Sequence, residues 1–208
     1  MKKYTAEFIG TFALVFCGTG AIVIHNQMPA VLTHAGIAAT FGLIVMAMIY
    51  TVGNISGAHL NPAVSISLVV AKKLEAKQLL PYILSQLSGA FAASILLHYL
   101  FPNDAFLGTT LPSGTWQQSF ILEFLLTFFL MLTIYQVASE KLAGFIIGGI
   151  VGLEAMFAGP ICGASMNPAR SIAPAIVSGH TEYLGVYIAA PIIGALVALV
   201  LFRFLKPD

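Results

Sequence analysis

Two short apolar stretches, near residues 61–71 and 167–178, each begin with Asn-Pro-Ala and each lie between longer apolar runs. Neither is long enough to cross a membrane as a helix, which takes about 20 residues at 1.5 Å each for roughly 30 Å of hydrocarbon. A backbone that stops half-way must still satisfy its N–H and C=O groups, because lipid offers none of the hydrogen bonds that water does. Such a segment is tolerated only as a half-helix that is buried in protein or lines a cavity. The tripeptide also says where each half-helix begins. Pro62 and Pro168 suit the first helical position, where the missing N–H is not needed. Asn61 and Asn167 suit the N-cap just before it. One Asn-Pro-Ala carries little weight. Two, in matching places, put two helix N-termini at membrane depth.

The remaining sequence supplies the spans around them. Hydrophobic residues make up 59% of the 208 positions and charged residues 8%, with a mean hydropathy of +0.94. A soluble domain carries about 25% charged residues. Separate apolar runs near 5–25, 33–53, 79–101, 115–137, 142–160 and 183–205 read as six transmembrane helices. The chain is therefore an all-α integral membrane protein of six spans plus two re-entrant half-helices. The first run is a retained span rather than a signal peptide, since it is long, lacks a cleavage site and contains Glu7. A net charge of +1 implies no nucleic-acid partner. Cys17 and Cys162 lie far apart in apolar surroundings and read as buried free thiols.

Basic residues give the orientation. Lys2 and Lys3, then Lys72, Lys73 and Lys77, then Lys141, then Arg203 and Lys206 all fall on one side of a six-span topology. The opposite loops, near 26–32, 102–114 and 179–182, hold no Lys or Arg. Both termini are thus expected in the cytoplasm, and the protein in the cell (plasma or inner) membrane. Arg170 is the one basic residue this leaves over. At membrane depth a charge costs about 2.5–3.5 kcal/mol on insertion scales, so it marks a functional position.

The two halves also repeat. Ala6-Glu7-Phe8 with Thr11-Phe12 matches Leu122-Glu123-Phe124 with Thr127-Phe128, and each half then supplies a span, an Asn-Pro-Ala half-helix and another span. Three spans per half is odd, so the halves run in opposite directions through the membrane, about 1–107 and 108–208 of one channel domain. This is the pattern of an inverted repeat with its site near the bilayer midplane.

At these motifs, Ala6 through Phe12, Gly57 through Val64 and Gly163 through Ser171, the chain resembles the aquaporin family, also called major intrinsic proteins. The likeness runs over essentially the whole chain. It resembles a bacterial-type aquaporin with features similar to plant vacuolar and nodulin-like members in the run from Ala158-Gly159-Pro160 to Pro174.

The resemblance assigns roles residue by residue. Asn61 and Asn167, with Pro62, Ala63, Pro168 and Ala169, make the pore motif. Their side-chain amides donate to a passing water from two half-helix N-termini, each carrying about +0.5 of a charge. Water that accepts from both amides donates to neither, which interrupts a proton wire and repels cations. Read alone, both would be ordinary N-caps. Arg170 lines the outer constriction together with Phe41, Ala155 and Ala164, which lie twenty, twelve and three residues before their motif asparagines. Without the family those three would pass as core. Carbonyls of Gly57, Ala58, His59, Cys162 and Gly163 form a ladder along one wall. Glu7 and Glu123 are structural buried acids that accept backbone N–H groups of the motif loops. Glu154 has no family role and is expected to face a neighbouring helix or loop rather than the lumen. His59 either offers a titratable group to the inner vestibule or simply packs there. A homotetramer with one pore per subunit is implied in the same way.

The resemblance therefore implies a passive water channel, with small uncharged solutes as further cargo. Ala155 replaces the His of a strict water channel, which points to a wider filter. Ser171 replaces the Asp of glycerol channels, which points back to water. An aquaglyceroporin or a urea-, ammonia- or metalloid-type channel is the alternative. A secondary transporter, which inverted repeats also build, would need a coupling site. The sequence holds no Gly-rich phosphate loop, nucleophile–base pair or metal-ligand spacing, so no enzyme, catalytic residue, cofactor or metal is expected.

Overall fold

The computed structural model describes residues 1–205; Lys206, one of the orientation markers, lies outside the described residues. Eight helices follow one another: α1 (Lys2–Gln27), α2 (His34–Ser56), α3 (Pro62–Val70), α4 (Ala76–Leu100), α5 (Trp116–Val137), α6 (Ala143–Cys162), α7 (Pro168–Ser178) and α8 (Leu184–Leu205). Six of them are long and apolar enough to span a membrane. The order long, long, short, long occurs twice. The short helices have 9 and 11 residues, which laid end to end reach roughly 30 Å, the thickness one full span would cover.

Local chemistry sets the ends. Thr33 caps α2 by accepting from Gly36 N at 3.4 Å, and Thr115 caps α5 by accepting from Gln118 N at 3.2 Å. Gly57 at φ 90° and Gly163 at φ 83° end α2 and α6 in the left-handed conformation that glycine adopts without a Cβ clash. Both helices run past their apolar runs to those glycines, because Asn54 to Ser56 and Ile161 to Cys162 still have helical partners.

The distribution of side chains is that of a protein dissolved in lipid. Leu43, Leu80, Phe145, Leu153, Phe157 and Val200 face outward, while Glu7, Gln86, Glu123, Glu154 and Arg170 are buried. Small residues bring the helices together where the apolar effect between lipid and side chain is weak. A Cβ on Gly89 of α4 would strike the Phe8 carbonyl of α1, and a Cβ on Gly194 of α8 would strike the Phe124 carbonyl of α5. These two contacts occupy matching places in the two halves. Gly42 of α2 meets Gly148 and Gly152 of α6 backbone to backbone. The α2–α6 pair forms the seam between the halves, and α3 and α7 enter from opposite sides to meet at their N-termini.

The basic residues gather at one end. Arg203 Nη2 donates to Val70 O at 3.0 Å, Lys3 Nζ to Gln78 Oε1 at 3.4 Å, and Lys73 sits over the rings of Tyr135 and Phe202.

Candidate functional site: a cavity between two half-helices

Each half-helix is entered through a loop of unusual backbone. Ala58 and Leu60 before α3, and Ala164 and Met166 before α7, have φ of 46°, 52°, 41° and 55°. Left-handed backbone costs an L-residue about 1–2 kcal/mol, so something must hold it. Behind the first loop, Glu7 does so. Its Oε1 accepts from His59 N at 2.9 Å and Ser56 Oγ at 2.7 Å, and its Oε2 from Leu60 N at 2.7 Å and Gln86 Nε2 at 2.8 Å. Behind the second, Glu123 accepts from Ser165 N and Met166 N, both at 2.7 Å. With their N–H groups turned toward the acids, the loops leave other carbonyls free.

The half-helices are then tied head to head. Asn61 Oδ1 accepts from Ala63 N at 2.9 Å, and Asn167 Oδ1 from Ala169 N at 3.0 Å and Arg170 N at 3.4 Å, so both are side-chain N-caps. Each amide also reaches across the pseudo-symmetry. Asn61 Nδ2 donates to Met166 O and Asn167 Nδ2 to Leu60 O, both at 2.8 Å. One hydrogen of each NH₂ group is thereby fixed, and the other remains available to a molecule beside it.

A cavity of about 680 Å³ runs along these groups. One end is formed by Lys73, Tyr135 and Ser139 to Lys141, and the other by Phe41 and Arg170. Between them one wall carries Gly57 to Asn61 and Ala164 to Asn167, and the facing wall is apolar, with Val45, Ile49, Ile147 and Val151. Arg170 closes the end remote from Lys73 and Lys141, the outer end in the orientation expected from the sequence. It is 1% exposed, its Nη1 donates to Gly108 O in the outer loop at 2.7 Å, and its Cζ lies 5.2 Å from the Phe41 ring centroid. Phe41 in turn rests on Gly18, where a Cβ would collide with the ring. Such a site offers fixed donors and a cation at one end, and a lining with few hydrogen bonds elsewhere.

The positions expected from sequence fall as follows. Asn61, Asn167, Arg170, Phe41, Ala164, Gly57, Ala58 and His59 line the cavity. Pro62, Ala63, Pro168 and Ala169 form the first turns of α3 and α7 behind the asparagines. Ala155 stands one turn beyond Val151 on the same face of α6 and is 6% exposed. The cavity wall from the second loop starts at Ala164; Cys162 is buried, and Gly163 packs on Thr110 of the outer loop. His59 is on the cavity wall, and its ring packs at 4.8 Å on Tyr82, with Nδ1 3.1 Å from Ser65 Oγ. Glu154 is buried off the cavity wall. Among the described residues no group of His, Cys, Asp and Glu side chains could hold a metal ion.

Residues the sequence reading passed over also belong to the site. Ser56 and Gln86 complete the set of donors to Glu7, Tyr82 donates to Ser56 O at 2.7 Å, and Gly108 O accepts from Arg170. Ile49 and Ile147 line the inner half of the cavity. The repeat itself carried a signal for the last two. Shifting by the spacing between Asn61 and Asn167 takes Ile49 to Ala155, Phe41 to Ile147, Ala58 to Ala164 and Val64 to Arg170. Ile49, Ala58, Val64 and Ile147, all on the cavity wall, are thus apolar counterparts of Ala155, Ala164, Arg170 and Phe41, of which Ala155 alone is not on that wall.

Comparison with known proteins agrees with this geometry. The family model "Major intrinsic protein" matches residues 1–202. Aquaporin NIP1-4 of Oryza sativa subsp. japonica is 45% identical over 201 residues, covering 94% of this chain and 73% of the rice protein. Nodulin-26 of Glycine max is 39% identical over 213 residues, covering 99% and 78%. Among solved structures, the aquaglyceroporin from Plasmodium falciparum superposes with a TM-score of 0.86 at 27% identity, covering 98% of this chain and 96% of that one.

Proposed function

Because this chain belongs to the major intrinsic protein family, we propose that it is a passive channel for water and small neutral solutes that excludes ions and protons. The observation that carries the reading is the head-to-head pair of capped half-helices on the wall of one continuous cavity. A water at this point accepts from Asn61 and Asn167 and turns its own hydrogens outward, so the hydrogen-bonded file on either side has opposite polarity. The two N-termini add positive potential to that of Arg170, and a cation meets both barriers. Opposite the donors, the apolar face binds nothing strongly, so molecules leave as readily as they enter.

Phe41, Ala155, Ala164 and Arg170 form the outer filter in this reading, and the carbonyls of Gly57, Ala58, His59, Cys162 and Gly163 the solute-guiding wall. Glycerol-sized solutes fall within reach because Ala155 and Ala164 add no bulk, which favours the aquaglyceroporin-like reading over a strict water channel. The likeness to a structure named as an aquaglyceroporin supports the same reading. The halves meet near residues 107 and 108, both termini face the cytoplasm, and the chain acts as a homotetramer in the cell membrane without enzymatic activity.

Stopped-flow light scattering on proteoliposomes tests the proposal, with water, urea and glycerol gradients run beside a pH-sensitive dye. Accelerated water flow without dissipation of a pH gradient is expected. Proton flux keeping pace with water flux would refute it, and saturable, gradient-coupled solute movement would favour a secondary transporter.

A further inference from the structure

Three acids are buried in the membrane part of the fold, and they are not treated alike. Glu7 accepts four hydrogen bonds, and Glu123 accepts two from backbone N–H groups, with Arg170 as its neighbouring cation. Glu154 on α6 is 4% exposed, and neither of its carboxyl oxygens has a partner. The single salt bridge among the described residues, Lys77–Glu75, lies on the surface. A carboxylate in this position would hold a full charge with no donor and no cation, beside a second carboxylate.

The repeat explains what is missing. In the first half Glu7 is completed by Ser56 and Gln86, and Tyr82 donates to Ser56 O. The matching places of the second half, aligned on Gly57 with Gly163 and on Gly89 with Gly194, hold Cys162, Pro191 and Tyr187. Two donors are lost, and the hydroxyl of Tyr187 is left without a partner, as is that of Ser119 on α5. Both residues are buried. Glu154 occupies the place of Met48 in the first half, so the polar group appears where the other donors have gone.

We propose that Glu154 is a proton-binding site that stays neutral at physiological pH and donates its O–H toward Glu123 through buried water shared with Ser119 and Tyr187. A carboxylate offers about four acceptor sites and Glu123 uses two of them, so it has room for that bond. Buried polar atoms without partners on this scale are where ordered water sits. The charged group nearest Glu154 is Glu123 of α5, and around Glu123 in turn stand Cys162 of α6, Arg170 of α7 and Tyr187 of α8, with Ser119 of α5 beside Tyr187; His34 of α2 is engaged elsewhere on α6, its ring bonding Met156 O at 2.8 Å. With Glu154 neutral, the buried groups of this half balance one negative charge, Glu123, against one positive, Arg170. Ionised, it would leave that half net negative and draw cations toward the filter. Glu154 is thus a positioning residue: it fastens α6 at Ala155 to the acid that shapes the second pore loop. The inference holds whichever neutral solute permeates.

Infrared difference spectroscopy on the reconstituted protein tests it. Wild type at neutral pH should show the C=O stretch of a protonated, buried carboxyl group, and Glu154→Gln should lose that band. Glu154→Met, which restores the residue of the first half, is the second variant and should lose it too. A wild-type spectrum without the band overturns the proposal whether or not either variant folds. So does a band that survives in a folded variant, since the proton would then reside on Glu7 or Glu123.

Discussion

Replacing Glu7 isolates the energetics of the first pore loop. In Glu7→Leu the backbone N–H groups of His59 and Leu60 lose their acceptor, while Ser56 Oγ still accepts from Ala58 N and Gln86 Nε2 still reaches Ser65 Oγ at 2.9 Å. Two stranded backbone donors at about 1–3 kcal/mol each give a loss of about 2–6 kcal/mol. The left-handed Ala58 and Leu60 also lose the groups that held them there. In Glu7→Gln one carbonyl oxygen survives to take Ser56 and His59. The new NH₂ can meet Gln86 Oε1, which has no partner now. Only Leu60 N is then stranded, a loss of about 1–3 kcal/mol. The order of stability should be wild type, then Glu7→Gln, then Glu7→Leu, with Leu near the limit that a total stability of about 5–15 kcal/mol allows. Recovery of monodisperse protein after heating in detergent, read by size-exclusion chromatography, gives that order. Equal midpoints for the two variants would refute the reasoning, because a role limited to packing does not distinguish them.

Arg170→Ala removes the outer charge and its bond to Gly108 O; cation leak with water flux retained is expected in liposome flux assays, and full cation exclusion would mean the half-helix dipoles suffice. Ala155→His adds bulk and a donor at the outer rim, so the glycerol-to-water and urea-to-water permeability ratios should fall in paired stopped-flow measurements. An unchanged ratio would remove Ala155 from the filter. In Gly18→Ala the new Cβ would strike the Phe41 ring, pushing it off α1; solute permeability should drop more than water permeability, and wild-type values for both would show that the ring yields without cost.

Much of this protein was written locally. The six spans were legible because hydrocarbon thickness fixes how long an apolar run must be, and the helices differ from the runs only by a few residues at capping positions. The half-helices were legible because Asn-Pro-Ala joins an N-cap to a first-turn proline, and Asn61 and Asn167 do cap α3 and α7. The roles of Glu7 and Glu123 came from the family resemblance, and the backbone N–H groups they accept are those of the pore loops.

Other features depend on chain segments far apart in sequence, and no local pattern encodes them. That Asn61 and Asn167 each donate to a carbonyl of the opposite loop follows only once the half-helices enter from opposite sides. Phe41 looks like any core aromatic until α1 offers Gly18 beneath it and α7 offers Arg170 beside it. Gly108 shows no sign in the sequence of anchoring a guanidinium 62 positions away. Glu154 is the sharpest case. Its place beside Ala155 pointed to a neighbouring helix or loop rather than the lumen, with no partner assigned, and the packing leaves both its carboxyl oxygens buried with no direct hydrogen-bond partner. A sequence determines which groups enter the membrane and in what local conformation. The interior has no water to satisfy them, so which of them are satisfied there is settled by what the rest of the fold brings within about 3 Å.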